Sequence, residues 1–382
     1  MKKKILFVLP GFGIGGTTVS TRNLMSLLQK EGYDCWVMPL WPEGSMKDLY
    51  DGIDCVETPI VIKALSAPNK KYFPKIYQKL VVATLRYLCN HFSCLERWIW
   101  GKALNKVINK YHIDTIVAGQ ENGTTQVVSY TKCNNKVAWI RCDYKRYFEE
   151  RQCQKEDFYK AFDSIVCVAE QACSNFKSIY PEYASKTYCI PNPQDSELIL
   201  VRSDIKEIEP RFIKEGKTLL SIGRFDVIKR FDKIAPIAKQ LVDNGLKFRW
   251  YLIGDGDERQ QIADSIRNYG MEDYVVMLGT KTNPFFYIKK ADLLVCLSAS
   301  EACPRVVNEA KILHTPTIST DFPTIYEFIE NDKTGAISAL EEIPSAILRL
   351  CMDAVLYNQI KENISSFSFD NSDLLNGIRR II

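Results

Sequence analysis

Residues 293–310 run Leu293-Leu294-Val295-Cys296-Leu297-Ser298-Ala299-Ser300-Glu301-Ala302-Cys303-Pro304-Arg305-Val306-Val307-Asn308-Glu309-Ala310. The first five are apolar without polar alternation, the pattern of a strand covered on both faces. A polar turn follows. Pro304 then suits the first turn of a helix, with Cys303 or Ala302 near its cap. Glu301 falls in the loop before that helix and Glu309 more than one turn inside it. Strand, loop and helix in this order form the repeating unit of a parallel α/β sheet. Amides at such a helix N-terminus meet phosphate or sugar oxygens, and each carboxylate accepts hydrogen bonds from hydroxyls. Taken alone, two surface glutamates flanking a capped helix explain the pattern equally well.

The same alternation extends outward through the chain. Further short apolar runs lie at Ile5–Leu9, Cys35–Met38, Thr115–Ala118, Lys136–Ile140, Ser164–Val168 and Thr187–Ile190. In the second half they lie at Thr218–Ile222, Phe248–Ile253, Tyr274–Leu278 and Thr315–Ser319. Helical patterns separate them, so the expected fold class is α/β. It consists of two Rossmann-like, doubly wound parallel-sheet domains facing across a cleft, with the site at the carboxyl ends of the strands. A length of 382 residues also favours two domains. Asn192-Pro193 signals a turn. The expected division is 1–195, a linker at 196–216, 217–360, and a segment 361–382 packing back on the first domain.

Composition narrows the class. The chain is 46% hydrophobic and 25% charged, as in an ordinary globular protein. Thirteen cysteines and three histidines occur without a Cys-x-x-Cys pair, which argues against a zinc site and for a reducing, cytoplasmic compartment. Met1-Lys2-Lys3-Lys4 before Ile5–Leu9 imitates a signal peptide. The apolar run stops at Pro10 and a glycine-rich loop follows, so a first buried strand is the better explanation. No run of about 18 uncharged apolar residues announces a membrane span.

Two further loops carry candidate chemistry. Gly11-Phe12-Gly13-Ile14-Gly15-Gly16 follows the first strand and precedes a helix near Thr17. Its glycines let backbone amides approach a phosphate at a helix N-terminus. The string also fits the dinucleotide pattern, but that needs an acid at the end of strand two. Here strand two runs into Pro39-Leu40-Trp41-Pro42, and Glu43 comes late. The second loop, Gly223-Arg224-Phe225-Asp226-Val227-Ile228-Lys229, places two cations after a strand. Arginine offers a forked pair of donors to a diphosphate and lysine a point charge. Two solvated loop cations are the plainer alternative.

Together these features resemble retaining glycosyltransferase family 4, of GT-B fold. That family's form is Glu-Gly-Phe-(Gly/Pro)-x-x-x-x-Glu-Ala, which Glu301 to Ala310 follow. Gly223–Lys229 resembles its Gly-Arg-x-x-x-x-Lys loop, and Gly254-Asp255-Gly256 resembles its Gly-x-Gly turn. Leu278-Gly279, Ala291-Asp292 and Pro316–Asp321 fit in order. The stretches Trp139–Asp143 and Glu301–Asn308 look most like enzymes building capsule, exopolysaccharide or O-antigen.

The resemblance implies an acceptor-binding first domain and a second domain that binds a nucleotide-sugar donor. Glu309 would hold the nucleotide ribose and Glu301 a hydroxyl of the donor sugar. Arg224, Lys229 and the amides of Gly15 and Gly16 would hold the diphosphate. Cys303, Pro304, Val306 and Val307 would complete the clamp, with Gly254 and Gly279 beside it and the base against Gly279–Lys281. Catalysis would fall to Glu301, Arg141, Arg224 and Lys229. Neither a metal nor another cofactor is implied. UDP is the commoner nucleotide in the family, and GDP stays open.

Three departures from the family pattern stand out. Ala302-Cys303 replaces Gly-Phe, Arg230 follows Lys229 where glycine is common, and Arg141 takes the place of a histidine beside the reacting sugar. A guanidinium stays charged and cannot act as a general base. A sugar-nucleotide epimerase on the same fold, an NAD-dependent oxidoreductase and a degenerate, non-catalytic transferase partner remain alternatives.

Residues 1–200 carry 26 basic against 20 acidic side chains, and residues 201–382 carry 24 against 26. Val61–Lys110 alone holds ten basic residues, one acid (Glu96) and seven aromatics. It is either an amphipathic helix pair covering the sheet or a basic, aromatic surface for the anionic inner leaflet. In the second case the acceptor is a saccharide or a polyprenyl-diphosphate-linked saccharide, and the protein is peripheral at the cytoplasmic face. No nucleic-acid partner is expected.

Overall fold

The computed structural model describes residues 2–13, 15–66 and 72–382. Its strands form two parallel sheets. The first contains β1 (Lys4–Gly11), β2 (Asp34–Trp41), β3 (Asp54–Cys55), β4 (Thr115–Ala118), β5 (Asn135–Ile140), β6 (Ser164–Cys167) and β7 (Thr187–Cys189), in the order β3-β2-β1-β4-β5-β6-β7. The second contains β8 (Lys217–Ile222), β9 (Phe248–Ile253), β10 (Val275–Gly279), β11 (Leu293–Cys296), β12 (Thr317–Thr320) and β13 (Ala336–Ser338), in the order β10-β9-β8-β11-β12-β13. Both are Rossmann-like, with helices between the strands. In each sheet the order reverses beside its first strand, between β1 and β4 and between β8 and β11. That reversal is where doubly wound sheets bind ligands. Strands β4, β6, β11 and β12 are buried along their whole length, which explains their unbroken apolar character.

The chain divides into residues 1–193 with 371–382, and residues 194–370. The segment expected as a linker from 196 to 216 is not all linker. Ser196–Asp204 is a helix, capped by Asp195, whose side chain accepts from the Leu198 amide at 3.0 Å. Ile199 buries against Phe285 and Ile288. The final helix, Ser372–Ile381, buries Leu374, Ile378 and Ile381, a one-face spacing. It belongs to the first unit. Asn135 Nδ2 donates to the Ile381 carbonyl at 2.7 Å, and a Cβ at Gly377 would lie 3.1 Å from Ile190.

Candidate functional site

In the first unit the chain leaves β1 through Gly11 and enters the helix Gly16–Lys30. Gly15 is its N-cap, without a side-chain cap. The opening amides of a helix have no intrahelical acceptor, so those at Gly16 and Thr17 are the donors this loop offers. The loop is braced from outside. The Phe12 amide donates to the Glu43 carbonyl at 3.1 Å, and Met46 donates back to the Phe12 carbonyl at 3.0 Å. Gly44 makes this approach possible, since a Cβ there would sit 2.0 Å from the Phe12 oxygen. Glu43, the late acid a dinucleotide site would need, accepts the Tyr72 hydroxyl at 2.6 Å instead.

Arg141 follows β5 and is heavily engaged. Its Nε donates to the Gly119 carbonyl at 2.8 Å. Nη1 donates to Ser20 Oγ at 2.7 Å and Asn192 Oδ1 at 2.5 Å, and Nη2 to Thr21 Oγ1 at 3.2 Å. Its amide donates to Glu121 Oε2 at 2.8 Å. The guanidinium therefore ties the ends of β4, β5 and β7 to the helix that opens at the glycine loop. This is the geometry of a positioning residue. Ser20, Thr21, Glu121 and Asn192 were not foreseen. Asn192 was legible only as half of a turn.

In the second unit, β8 ends at Ile222 and the loop Gly223–Lys229 follows. It leans on the turn after β9. The Phe225 amide donates to the Asp255 carbonyl at 3.0 Å, and Gly254 donates to the Gly279 carbonyl at 3.1 Å. A Cβ at Gly254 would fall 1.8 Å from the Gly223 oxygen, and one at Gly256 would fall 2.4 Å from that of Phe225. These glycines thus have a packing duty, which is to let the cation loop lie flat. Gly279 has a positive φ of 72°.

The two cations differ in setting. Arg224 is 61% exposed and its Nε meets Asp226 Oδ2 at 2.7 Å. Lys229 is no solvated loop cation. It is only 24% exposed, and its ammonium lies 2.8 Å from Glu301 Oε1. Burial, the largest single influence, pulls the Lys229 pKa down, but Glu301, Cys296 and Asp226 together outweigh it and the net shift is upward. Ser298 Oγ donates to the same Glu301 oxygen at 2.6 Å. The loop is held by backbone contacts too, with Ala299 N donating to the Ile228 carbonyl at 2.8 Å and Thr320 Oγ1 to the Ser298 carbonyl at 2.6 Å. Lys229, Ser298 and Glu301 are therefore one unit at the reversal between β8 and β11.

The helix after β11 runs Arg305–Ile312 with Pro304 as its N-cap, so proline stands one place earlier than the first helical position expected from sequence. Proline brings no N–H. The Val307 amide already donates to the Pro304 carbonyl at 3.0 Å. The amides left to a ligand are those of Arg305 and Val306. Glu309 is buried, and burial raises its pKa while Arg305 opposes the rise. At the loop after β10, Lys281 meets Glu209 Oε2 at 2.5 Å. Arg211 and Lys281 together hold the Glu209 carboxyl down to about 2.

Two parallel, Rossmann-like sheets are the fold of the GT-B glycosyltransferases, and solved glycosyltransferase structures share it over nearly the whole chain. Residues 203–366 match the family model described as glycosyl transferases group 1. Over its full length the chain is similar to an uncharacterized glycosyltransferase of Haemophilus influenzae, 22% identical over 393 residues, covering 100% of this chain and 98% of the relative. It is similar to the alpha-monoglucosyldiacylglycerol synthase of Streptococcus pneumoniae, 21% identical over 379 residues, covering 94% and 80%. Among solved structures, Anabaena HepE in complex with UDP and glucose matches with a TM-score of 0.75 at 16% identity, covering 99% and 98%. That likeness shows the shared fold.

Proposed function

We propose that this chain transfers a sugar, with retention, from a nucleotide diphosphate sugar to a saccharide or polyprenyl-diphosphate-linked acceptor in surface polysaccharide synthesis. The observation that carries the proposal is the Lys229–Glu301–Ser298 cluster beside a helix N-terminus. As the glycosidic bond breaks, negative charge grows on the leaving diphosphate. Preorganised positive charge there is the largest service a protein offers. Lys229, Arg224 and the amides of Arg305 and Val306 supply it in this reading. Glu301 then accepts from a donor-sugar hydroxyl and Glu309 from the ribose. Transfer on one face lets the departing phosphate take the acceptor proton, so the mechanism needs neither a protein nucleophile nor a divalent ion. Arg141 acts through the helix Gly16–Lys30, which it braces at Ser20 and Thr21. UDP is the favoured nucleotide, because the structural neighbour was solved with UDP.

The acceptor side is read from a surface. No described helix is long and apolar enough to cross a membrane. Helix Ile76–His91 buries only Val82 and Cys89 among its residues, and it shows Ile76, Leu80, Val81 and Tyr87 to solvent. These exposed apolar side chains support a peripheral seat on an anionic inner leaflet, near a lipid-linked acceptor. The pneumococcal relative is named for a glucosylated lipid.

The test is a panel of UDP- and GDP-sugars, with donor cleavage followed with and without acceptor, with nicotinamide cofactors, and with a chelator. Acceptor-dependent cleavage that survives the chelator is the expected result. Epimerised donor without transfer would favour the epimerase alternative, nicotinamide turnover the oxidoreductase, and no donor binding the non-catalytic partner.

A further inference from the structure

Arg305 opens the helix that carries Glu309, one turn ahead of it. Its Nη2 lies 2.6 Å from Glu309 Oε1, and the two side chains are 15% and 9% exposed. Its Nε is buried without a hydrogen-bond partner. This is not a solvated surface pair. Taking a guanidinium and a carboxylate out of water is costly, and such pairs are often no more stable than an apolar replacement. Something other than stability has to account for it. A buried carboxylate without a partner neutralises itself by taking up a proton. A protonated Glu309 would keep one oxygen as a donor and could not accept from two neighbouring hydroxyls equally.

We propose that Arg305 is a positioning residue of the nucleotide site, holding the Glu309 carboxylate ionised and oriented to accept hydrogen bonds from a ribose diol. The role rests on the donor-site reading above. Among the described residues Arg305 is the cation that pairs with Glu309, and it opposes the rise that burial gives the Glu309 pKa. The ligand it serves is a nucleoside diphosphate with a free ribose diol.

Calorimetric titration of the full chain with UDP, and with GDP in parallel, between about pH 6 and about pH 8 tests this. Wild type and Arg305→Lys should share one pH profile across the range, set by the nucleotide's own terminal phosphate, whose second pKa is about 6. Arg305→Met keeps the volume and removes the charge. It should lose affinity progressively toward the acid end, reaching roughly tenfold once its Glu309 pKa stands about one unit above the working pH. An Arg305→Met protein that follows the wild-type pH profile, or is weaker by the same factor at every pH, would overturn the role, since packing alone gives that result. Should Arg305→Met fail to fold, Glu309→Gln decides. With uridine as the titrant, which carries no phosphate, any fall in wild-type affinity at still lower pH must vanish in that variant, and a fall that persists overturns the assignment. Wild type binding neither UDP nor GDP would overturn the donor-site reading itself and this role with it.

Discussion

At the residue scale, the difference between Arg224 and Lys229 sets the first prediction. Arg224→Ala and Lys229→Ala should each cost about 2–4 kcal/mol at the transition state, as loss of one oxyanion donor does. Their stabilities should part. Arg224 is exposed and its ion pair with Asp226 is worth little. Removing Lys229 strips Glu301 of its ammonium, so denaturant melts should show a loss of roughly 1–3 kcal/mol, the penalty of an under-satisfied polar group, for that variant alone. Arg230 gives the second. It sits at φ 53°, ψ 37°, in the left-handed region that costs a non-glycine residue about 1–2 kcal/mol. This explains why glycine suits the place. Arg230→Gly relieves that strain but enlarges the unfolded ensemble, an offset of roughly 0.5–1 kcal/mol. It should melt at or slightly above wild type, and Arg230→Val below it. Glu309 gives the third. Its folded pKa is raised by burial above the ordinary value of 4.5. The folded protein therefore holds the proton more tightly, and stability falls as pH rises through that window. Without nucleotide, Glu309→Gln removes this titration but leaves the Arg305 guanidinium facing a neutral partner, so denaturant melts should show a loss of stability relative to wild type that narrows as pH rises, while it binds nucleotide more weakly. A stability gap that does not change with pH would count against this account.

At the element scale, much of the fold was legible because buried parallel strands announce themselves as short apolar runs, as β4 and β9 do. The elements missed are those whose cause lies elsewhere in the chain. Strands β3 and β13 are two and three residues long at sheet edges, and only the neighbouring strand defines them. The helix Ser196–Asp204 hides because Leu198, Leu200 and Val201 face solvent and blur its periodicity. Of the candidate site, the residue types and spacing left Lys229 and Glu301 open to a plain surface reading, and the family resemblance singled them out. The supports were not legible, since Ser298 holding Glu301 and Asn192 holding Arg141 are three-dimensional facts. Gly254 shows how a motif residue works through its element. A methyl there would collide with the Gly223 carbonyl and push the cation loop off β9. Gly254→Ala should therefore destabilise by roughly 2 kcal/mol or more, as overpacking does, and lower transfer as severely as Arg224→Ala. Normal turnover in Gly254→Ala would show that the loop does not depend on that turn.

At the scale of the whole molecule, two sheets of the same strand order carry different charge. The surplus of +9 in residues 61–110 exceeds the +4 of the entire chain. Lys70 and Lys71 lie outside the described residues, and Lys75 and Lys79 are exposed on or beside helix Ile76–His91. An ordinary amphipathic helix would turn its apolar side inward. This one leaves Ile76 77% exposed and Leu80 64% exposed. The next helix, Ser93–Tyr111, begins beside exposed Phe92 and carries exposed Trp98. Ile76, Leu80, Ala83 and Tyr87 recur at one-face spacing, with the lysines along the flank. Apolar and aromatic side chains rimmed by cations match an anionic lipid surface, where each basic residue is worth about 1 kcal/mol and Trp and Tyr favour the interface. The protein should sediment with vesicles containing phosphatidylglycerol or phosphatidylserine and leave neutral vesicles in the supernatant. Changing Lys70, Lys71, Lys75 and Lys79 to Gln should weaken binding most at low salt, because screening already removes that contribution at high salt. Changing Ile76 and Leu80 to Ser should weaken it at all salt concentrations, since apolar burial is not screened. Equal binding to neutral and anionic vesicles, or none to either, would leave this face to some other partner.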